Sequence, residues 1–420
     1  MTHDFRFVHC ADVHLDTPYR SRSDSLRKHL REAGRIAFER VVDLCLEKEA
    51  HALIIAGDFF DNDRLSLATE GFIVAQVERL TRTGVWVFLA TGNHDPGANN
   101  RAHRIDWPKD YFHLFRSHSP ERITVQSQDG TPLAEIVGAG HQTASDTLNL
   151  AANYPEAVGT VPTVAVLHTQ VENTLGGEQH KKYAPCTRED LAQQDYAYWA
   201  LGHVHKRQSV TDLPPAWYPG NLQGRNHGES GSKGALFVRV DSGHQAHVEF
   251  HALSEVRWET FELNALDSAR NLNDIASLVR NRFEEIQKGP EIRSGQQWML
   301  RISLRGPCPL AKELRDEEML AELGQQLQSH LDVLDVEVRN EGITAPIDID
   351  EHRGQPHLLG TVLSVLEEAY SDDALLKKIC PSTLAGYTGE SEEEKLRYLR
   401  GLLEGIESDA TELLLRDKRS

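Results

Sequence analysis

The sequence predicts an α/β protein, because apolar segments of strand length alternate with segments of helical periodicity over the first 250 residues. Five of the strand-like segments are each followed directly by a short polar motif. The predicted strands cover residues 5–10, 52–56, 85–90, 163–167 and 198–201. Between them, segments such as residues 26–46 and 68–80 carry their apolar residues close to one stripe, as a helix that covers a sheet requires. We therefore expect sheets covered by helices.

The second half of the chain has a different texture from about residue 254 onward. Strand-like segments at 258–263, 298–304 and 333–339 enclose two helix-like segments, at 269–287 and 310–331, which gives a β-α-β-α-β unit. A loop rich in glycine and proline follows, and then two amphipathic segments at 358–370 and 392–415. The predicted domains are 1–253 (the motif-bearing domain), 254–345 (the β-α-β-α-β unit) and 346–420 (helical, with a possible partner-binding role).

The chain is acidic, with a formal net charge of −19, and the excess is concentrated toward its end. Residues 251–420 carry 33 acidic and 20 basic side chains, against 31 and 25 in residues 1–250. Tight binding of nucleic acid needs clustered Lys and Arg side chains, so we do not expect it from this chain alone. A role in DNA processing would need a basic partner or a local basic rim.

The amino-terminal segment and the cysteine pattern both favour a cytoplasmic location. The segment MTHDFRFVHCADVH lacks the three regions of a signal peptide, and no run of 18 apolar residues occurs in the sequence. The five cysteines are scattered and have no CxxC spacing, so they indicate thiols in a reducing compartment. We expect a cytoplasmic protein without a membrane span.

Five polar motifs follow the five predicted strands, and they carry the functional prediction. They are Asp12-Val13-His14, Gly57-Asp58, Gly92-Asn93-His94-Asp95, His168 and Gly202-His203-Val204-His205. Functional groups of α/β folds collect at the carboxyl ends of strands. Carboxylate and amide oxygens mixed with imidazoles suit Mn²⁺, Fe²⁺ or Zn²⁺. Because these ligands exceed what one ion needs, the set predicts a two-metal site.

The spacing within the motifs supports shared binding of an ion. Side chains two residues apart on an extended segment point to the same side, as in Asp12 and His14, or His203 and His205. Taken alone, each motif also has a plainer interpretation, such as a surface turn for the first. A single histidine at a strand end, as at His168, is more often structural. The ordered set of all five motifs favours a metal centre.

Three further assignments depend on neighbouring residues. His94 follows a ligand candidate, so it is placed to protonate a leaving group, and Asp95 can hold the tautomer of its imidazole. Asp61 and Asp63 are expected to be solvated loop acids or outer partners of the ligands. Arg225, in the turn-rich segment WYPGNLQGRN, is a candidate phosphate contact, although a plain loop explains that segment as well.

The ordered motifs DxH, GD, GNHD, H and GHxH resemble the calcineurin-like metallophosphoesterase superfamily. The segments HCADVHLDTPYR, GDFFD and YPGNLQGRNHGESGSKG are similar to the DNA repair exonucleases of SbcD and YhaO type. The first motif reads DVH followed by LDTP, whereas SbcD-type chains commonly read DWH, and this favours the YhaO branch. The resemblance covers residues 1–240 in motifs, and the β-α-β-α-β unit matches the capping domain of that group in position and size.

The resemblance implies a four-layer α/β/β/α sandwich with a small α+β capping domain, C-terminal helices and two metal ions at the sheet ends. One ion would be held by Asp12, His14, Asp58 and His205. The other would be held by Asp58, Asn93, His168 and His203, so that Asp58 bridges the two. His94, supported by Asp95, would be the catalytic histidine that binds no metal. The resemblance further implies Mn²⁺ as the preferred ion and an SMC-like ATPase as partner, and a homodimer is possible.

The predicted reaction is phosphodiester hydrolysis of DNA, by exonuclease or endonuclease cutting in repair, because paired cations clamp a phosphoryl oxygen and activate a water. Two alternatives stay open. The same motifs serve phosphoesterases of small molecules, although such an enzyme does not need the unit after residue 254. The chain could also be an adaptor, in which the metals fold the site and the C-terminal helices recruit an ATPase.

Overall fold

The fold is taken from a computed structural model of the chain. The structure describes residues 4–61, 65–98, 104–127, 129–175, 183–346, 348–379, 391–403 and 406–416. Asp63, predicted to be a loop acid, lies outside these residues.

Two six-stranded sheets form the centre of the protein. The first has the strand order β12-β11-β1-β2-β3-β4 and the second β5-β6-β7-β8-β10-β9. The strands of the first sheet are β1 (Phe5–Cys10), β2 (Ala52–Ala56), β3 (Trp86–Ala90), β4 (Phe112–Phe115), β11 (Gly234–Val240) and β12 (Ala246–Ala252). Those of the second are β5 (Glu121–Gln126), β6 (Pro132–Gly138), β7 (Thr163–His168), β8 (Tyr198–Gly202), β9 (Gln208–Asp212) and β10 (Pro215–Tyr218).

The strands that carry motifs lie side by side and run parallel. In the first sheet β1 pairs with β2 and β2 with β3, while in the second β7 pairs with β8, all in parallel register. Parallel strands are buried on both faces and therefore consist of nearly continuous apolar residues, as in the fully buried strand ALIIA of β2. This composition made them recognisable in the sequence. The antiparallel strands β11 and β12, which extend the first sheet beyond β1, were not predicted.

Helices cover the outer faces and complete a four-layer α/β/β/α sandwich, which confirms the predicted fold class. The long helix α1 (Asp24–Glu47) and α2 (Leu67–Thr81) pack with residues such as Phe38 and Ile73 against the first sheet. A second apolar core fills the space between the sheets, and Phe88 of the first sheet and Val166 of the second both belong to it. The outer layer on the second sheet is thin and includes the short helix α3 (Arg188–Ala192).

The later elements follow the predicted β-α-β-α-β order. Strands β13 (Val256–Leu263), β14 (Gln297–Pro307) and β15 (Asp335–Thr344) form a three-stranded sheet, with α4 (Leu272–Gln287) and α5 (Glu317–Leu331) between them in sequence. The remaining helices are α6 (Ile349–His352), α7 (Leu358–Ser371), α8 (Asp373–Ile379), α9 (Glu392–Leu403) and α10 (Ile406–Arg416). None of the helices in the described part of the chain has the length and apolarity to cross a bilayer.

Two compact units emerge from the contacts within the chain. The first consists of residues 1–262, 276–303 and 320–339, and it holds both large sheets. The second consists of residues 263–275, 304–319 and 340–420, and it holds the C-terminal helices. The predicted boundaries after residues 253 and 345 stay a prediction.

Candidate metal centre

All seven predicted metal ligands lie at the carboxyl ends of motif-bearing strands, and the two sheets contribute to one cluster. The first sheet supplies the side chains that follow β1, β2 and β3, and the second supplies those at the ends of β7 and β8. The seven are Asp12, His14, Asp58, Asn93, His168, His203 and His205, and each of them is at most 9 % exposed. Burial of this many polar side chains is unfavourable unless they are paired or bind ions.

The backbone at the cluster is held in a conformation that ordinary residues avoid. Asp12, His14 and Asp58 have φ angles of 51°, 48° and 50°, and His203 has a φ of 107°. Each such non-glycine residue costs about 1–3 kcal/mol, and such residues persist where the surrounding structure fixes them and gather at functional sites. Here the loops fix one another, because the backbone N–H groups of Asp12 and His14 donate to the carbonyls of Gly57 and Asp58.

The ends of the two sheets approach closely enough for ligands from both to meet. A Cβ atom on Gly202 would lie 1.8 Å from the carbonyl oxygen of Ala56, so only glycine fits at this crossing of β8 and β2. The ring of His168 donates from Nδ1 to the same carbonyl at 2.9 Å. In addition, the backbone N–H of His203 donates to the Asp12 carboxylate at 3.0 Å. These contacts join the sheets at the cluster.

One group of donors consists of Asp12, His14 and His205. The Nε2 atoms of His14 and His205 lie 3.2 Å apart, and His205 Nε2 lies 3.5 Å from Asp12 Oδ1. Potential ligand atoms of these three residues lie within 4.8 Å of one another. Two imidazole nitrogens and a carboxylate that converge in this way match the donor set of a divalent transition metal.

A second group of donors surrounds Asn93. Its Oδ1 lies 3.1 Å from His168 Nε2 and 3.1 Å from His203 Nδ1. Asp58 Oδ2 lies 3.4 Å from His168 Nε2 and 3.8 Å from His14 Nε2, so it faces both groups. The residues fit the two predicted ligand sets, with Asp58 between them. The two ligand sets stay a prediction.

Two of the predicted histidine ligands are expected to carry an extra proton, which a metal ion must displace. Burial opposes the charged form of His168, but the nearby Asp58 outweighs it and raises the pKa of this ring to about 9. Burial also opposes the charged form of His205, but hydrogen bonds to Asp12 and Glu229 raise the pKa of that ring to about 8. A histidine that binds a metal must have a neutral ring, so metal binding releases these protons.

We expect the apparent affinity for Mn²⁺ to rise from pH 7 to pH 9. Titration calorimetry in two buffers of different ionisation enthalpy measures the release, and an affinity that stays constant over this range would contradict it.

The partner of His94 is Asp61, and the predicted support by Asp95 is wrong. Asp61 Oδ1 accepts a hydrogen bond from His94 Nδ1 at 2.8 Å, and His94 is 38 % exposed at the edge of the buried cluster. Burial lowers the pKa of His94, but the hydrogen bond to Asp61 and the charge of Asp58 outweigh this and raise it above its ordinary value. His94 is therefore placed to carry a proton, as predicted, with a different residue holding its ring.

Asp95 instead organises the loop that carries Asp58. Its carboxylate accepts backbone N–H groups from Asp58, Phe59 and Phe60, and also from Gly92 at 2.6 Å. Asp95 is 1 % exposed, and each of its oxygens accepts two of these N–H groups. Burial and the Asp58 charge raise the pKa of Asp95 to about 7, which the N–H groups of Gly92 and Phe59 oppose. A divalent cation near Asp58 would offset that charge and favour the carboxylate.

We expect the Asp95→Asn substitution to act on stability. An amide offers one acceptor oxygen where the carboxylate offers two, so at least one buried N–H is left without a partner. The loss should be about 2–4 kcal/mol, and the melting temperature of a chain of this length should fall by about 2–5 °C. Thermal unfolding in the presence of EDTA measures this effect separately from metal binding. An unchanged melting temperature would show that Asp95 does not hold the loop.

Two buried residues near the cluster were not predicted as part of the site. Glu229 Oε1 lies 2.8 Å from His205 Nδ1, and Lys233 donates from Nζ to the backbone carbonyl of His205 at 2.8 Å. Both belong to the segment YPGNLQGRNHGESGSKG, which gave no periodic or spacing signal of its own. Arg225 lies in the same segment and donates to Glu229 at 3.1 Å. Its predicted contact with a phosphate stays a prediction.

Comparison with known proteins agrees with this centre. Residues 5–207 match the sequence profile described as calcineurin-like phosphoesterase. The chain is 31 % identical over 313 residues to the uncharacterized metallophosphoesterase YhaO of Bacillus subtilis, covering 74 % of each chain. It is 25 % identical over 355 residues to the DNA double-strand break repair protein Mre11 of Methanopyrus kandleri, covering 78 % of this chain and 74 % of that one. A protein of the same name from Aeropyrum pernix is 37 % identical over 93 residues, 21 % of each chain.

Proposed function

Because this chain belongs to the calcineurin-like metallophosphoesterase family, it is a metal-dependent phosphoesterase, and we propose that it hydrolyses phosphodiester bonds of DNA with two bound ions. The observation that carries the proposal is the position of Asp58, whose Oδ2 faces a donor group on either side. A carboxylate between two sets of imidazole and oxygen donors is suited to bridge a pair of cations. We propose Mn²⁺ as the ion, with Fe²⁺ or Zn²⁺ as alternatives.

The choice of DNA as substrate is supported by relatives and is a finer step than the family. Two relatives carry the name of a DNA double-strand break repair protein, and one of them matches over 78 % of this chain. A net charge of −19 opposes tight binding of DNA by the chain alone. We therefore propose that a basic partner of the SMC-like ATPase class completes the DNA-binding surface.

The C-terminal helices are the proposed contact for the ATPase. Exposed apolar side chains occur on four of them, α7 to α10, and the most exposed are Leu358 at 66 % on α7 and Leu413 at 72 % on α10. Large apolar side chains left in solvent are typical of protein interfaces when they lie together. We propose that residues 346–420 supply this contact.

The chemistry divides between the ions and the protein side chains. Paired divalent ions, when bound, lower the pKa of a water and neutralise charge on the phosphoryl oxygens. The protein holds the donors through contacts between the sheets, and it presents His94 at the exposed edge of the cluster. Since Asp61 binds Nδ1 of His94, Nε2 is the nitrogen that can give a proton to the leaving oxygen.

The test is hydrolysis of three substrates by the purified chain with Mn²⁺. They are labelled single-stranded DNA, labelled double-stranded DNA and bis-p-nitrophenyl phosphate, and each is also offered to a His94→Ala variant. His247→Ala is the matched control, because this exposed histidine on β12 pairs with Asp241 and lies outside the donor groups. We expect cutting of DNA by the wild type and the control, and its loss in His94→Ala.

Other outcomes assign the chain to the remaining functions. Hydrolysis of the small diester without any cutting of DNA, even when an ATPase partner is added, would overturn the DNA substrate in favour of a small-molecule phosphoesterase. Bound metal without hydrolysis of either substrate would favour the adaptor. Failure to bind Mn²⁺, Fe²⁺ or Zn²⁺ would contradict the two-ion centre itself.

A further inference from the structure

A buried carboxylate, Glu229, lies directly behind one of the predicted ligands. It ends a short 3₁₀ turn at His227–Glu229, and its side chain is 11 % exposed. Glu229 is in neither of the proposed ligand sets, nor in the three clusters of converging donors found among the described residues. Its Oε1 contacts Nδ1 of His205, whereas the other ring nitrogen of His205, Nε2, faces His14 and Asp12. The carboxylate and the cluster therefore contact opposite edges of the same ring.

Four donors hold Glu229 in this position. Oε1 accepts from His205 Nδ1 at 2.8 Å and from Arg225 Nη2 at 3.1 Å. Oε2 accepts from the backbone N–H of Arg225 and from Nδ2 of Asn221, both at 2.8 Å. Each oxygen thus accepts two hydrogen bonds, and burial together with these donors keeps the group fixed. All four partners are N–H donors, and one of them belongs to the charged guanidinium of Arg225, so these are the contacts of an ionised carboxylate.

An ionised carboxylate can only accept hydrogen bonds, and this decides the position of the proton on His205. The contact at 2.8 Å requires a hydrogen on Nδ1. Arg225 Nη2 also lies 3.2 Å from the same Nδ1, but a guanidinium only donates, so the two nitrogens cannot bond to each other. Both of them donate to Glu229 instead. A neutral imidazole carries one hydrogen, and hence Nε2 keeps its lone pair.

Another predicted ligand, His168, is held in the same way, with Nδ1 bound to a backbone carbonyl and Nε2 facing the cluster. His168 Nδ1 donates to the carbonyl of Ala56 at 2.9 Å, and its Nε2 faces Asn93 and Asp58. A backbone carbonyl cannot be removed by mutation, whereas the partner of His205 is a side chain. A carboxylate is also the stronger acceptor, because it polarises the ring and raises the basicity of the opposite nitrogen.

We propose that Glu229 is a positioning residue, which fixes His205 in the Nδ1–H tautomer, turns its Nε2 lone pair toward Asp12 and His14, and thereby sets the metal affinity of this half of the centre. The inference rests on the proposed two-ion centre and adds to it a residue that binds neither metal nor substrate. Loss of such an outer partner lowers metal affinity by about 10–100-fold.

The first experiment is calorimetric titration of the full chain with Mn²⁺ alone. Glu229→Gln keeps the size of the side chain and removes its charge. We expect one of the two ions to bind about 10–100-fold more weakly. Glu249→Gln, at a side chain on β12 that is 58 % exposed, is the matched control and should bind like the wild type. In a His205→Ala background, Glu229→Gln should change the affinity by less than about threefold, since the ring through which it acts is gone.

A general structural role would give a different result. If Glu229→Gln weakens binding equally with and without His205, Glu229 acts on the fold and the positioning role is wrong. If Glu229→Gln in the wild-type background binds both ions normally, the inference is also wrong. If the wild type binds no Mn²⁺, the ion assignment of the proposed function fails, and the position of the proton then has to be measured directly.

The second experiment measures that proton on the wild-type chain, and His205→Ala serves only to assign the signal. Long-range ¹H–¹⁵N spectra of histidine-labelled protein distinguish the two tautomers, at about pH 9.5 without metal, where the ring is neutral, or with Zn²⁺ bound. We expect the Nδ1–H form for His205, assigned by its absence in His205→Ala. The Nε2–H form in the metal-free spectrum would overturn the inference, whatever the outcome of the metal titration.

Discussion

The Asp58→Asn variant is expected to lose nearly all hydrolysis of bis-p-nitrophenyl phosphate, falling by about 10²–10⁴ relative to the wild type. Asp58 is the side chain that faces both donor groups. Its replacement by asparagine therefore removes a negative charge from both proposed ion sites. Charge stabilisation by bound ions contributes several kcal/mol to the transition state, and each 1.36 kcal/mol corresponds to tenfold in rate. Elemental analysis after dialysis should show fewer than two Mn²⁺ ions per chain.

The fold of this variant should survive, which separates loss of metal from loss of structure. Asparagine keeps the oxygen that accepts the backbone N–H of His94 at 2.8 Å. The substitution also removes the negative charge that faces the ring of His168 and, against the effect of burial, raises the pKa of that ring. In EDTA we therefore expect a lower melting temperature than that of the wild type, but a cooperative transition and an unchanged far-UV circular dichroism spectrum at room temperature. Asp24→Asn, at a side chain that is 92 % exposed on α1, is the matched control. Two bound ions with activity within threefold would contradict the bridging role.

The His94→Ala variant is expected to keep both ions and still lose about 10²–10⁴ in rate, which is the range for a general acid. His94 is outside the proposed ligand sets, and its ring is held by Asp61. Asp61→Asn should therefore be slower by a smaller factor, about 10–100-fold, since the ring stays present but is less well fixed. The measurements are the hydrolysis rate and the Mn²⁺ content of each variant.

A substrate with a better leaving group distinguishes proton donation from other roles of His94. In His94→Ala, hydrolysis of a substrate whose leaving oxygen needs no proton should slow much less than hydrolysis of a substrate whose leaving oxygen needs one. If the loss is the same for both kinds of substrate, His94 does not act as an acid. If the Mn²⁺ content falls as well, then His94 is a ligand, as its nearness to His14 and Asp58 allows.

The sequence alone determined the α/β class, the motif-bearing strands and the ligand types. Strands such as β1 and β2 are buried on both faces, so they appear as short apolar runs that need no partner to be recognised. Ligands such as Asp58 and Asn93 follow those runs directly, and their chemistry indicates a metal. Edge strands such as β12, which is half-exposed and polar, lack that signal and were missed.

The tertiary structure decided which side chains support the ligands, because those contacts depend on how loops distant in sequence fold together. Asp95 is adjacent to His94 in the chain, yet its carboxylate binds the backbone of the loop that carries Asp58. Asp61 instead makes the hydrogen bond to the His94 ring that was predicted for Asp95. Glu229 reaches His205 across 24 residues of sequence. A ligand is visible in a sequence because it must follow a strand, whereas its outer partner only has to be near it in space.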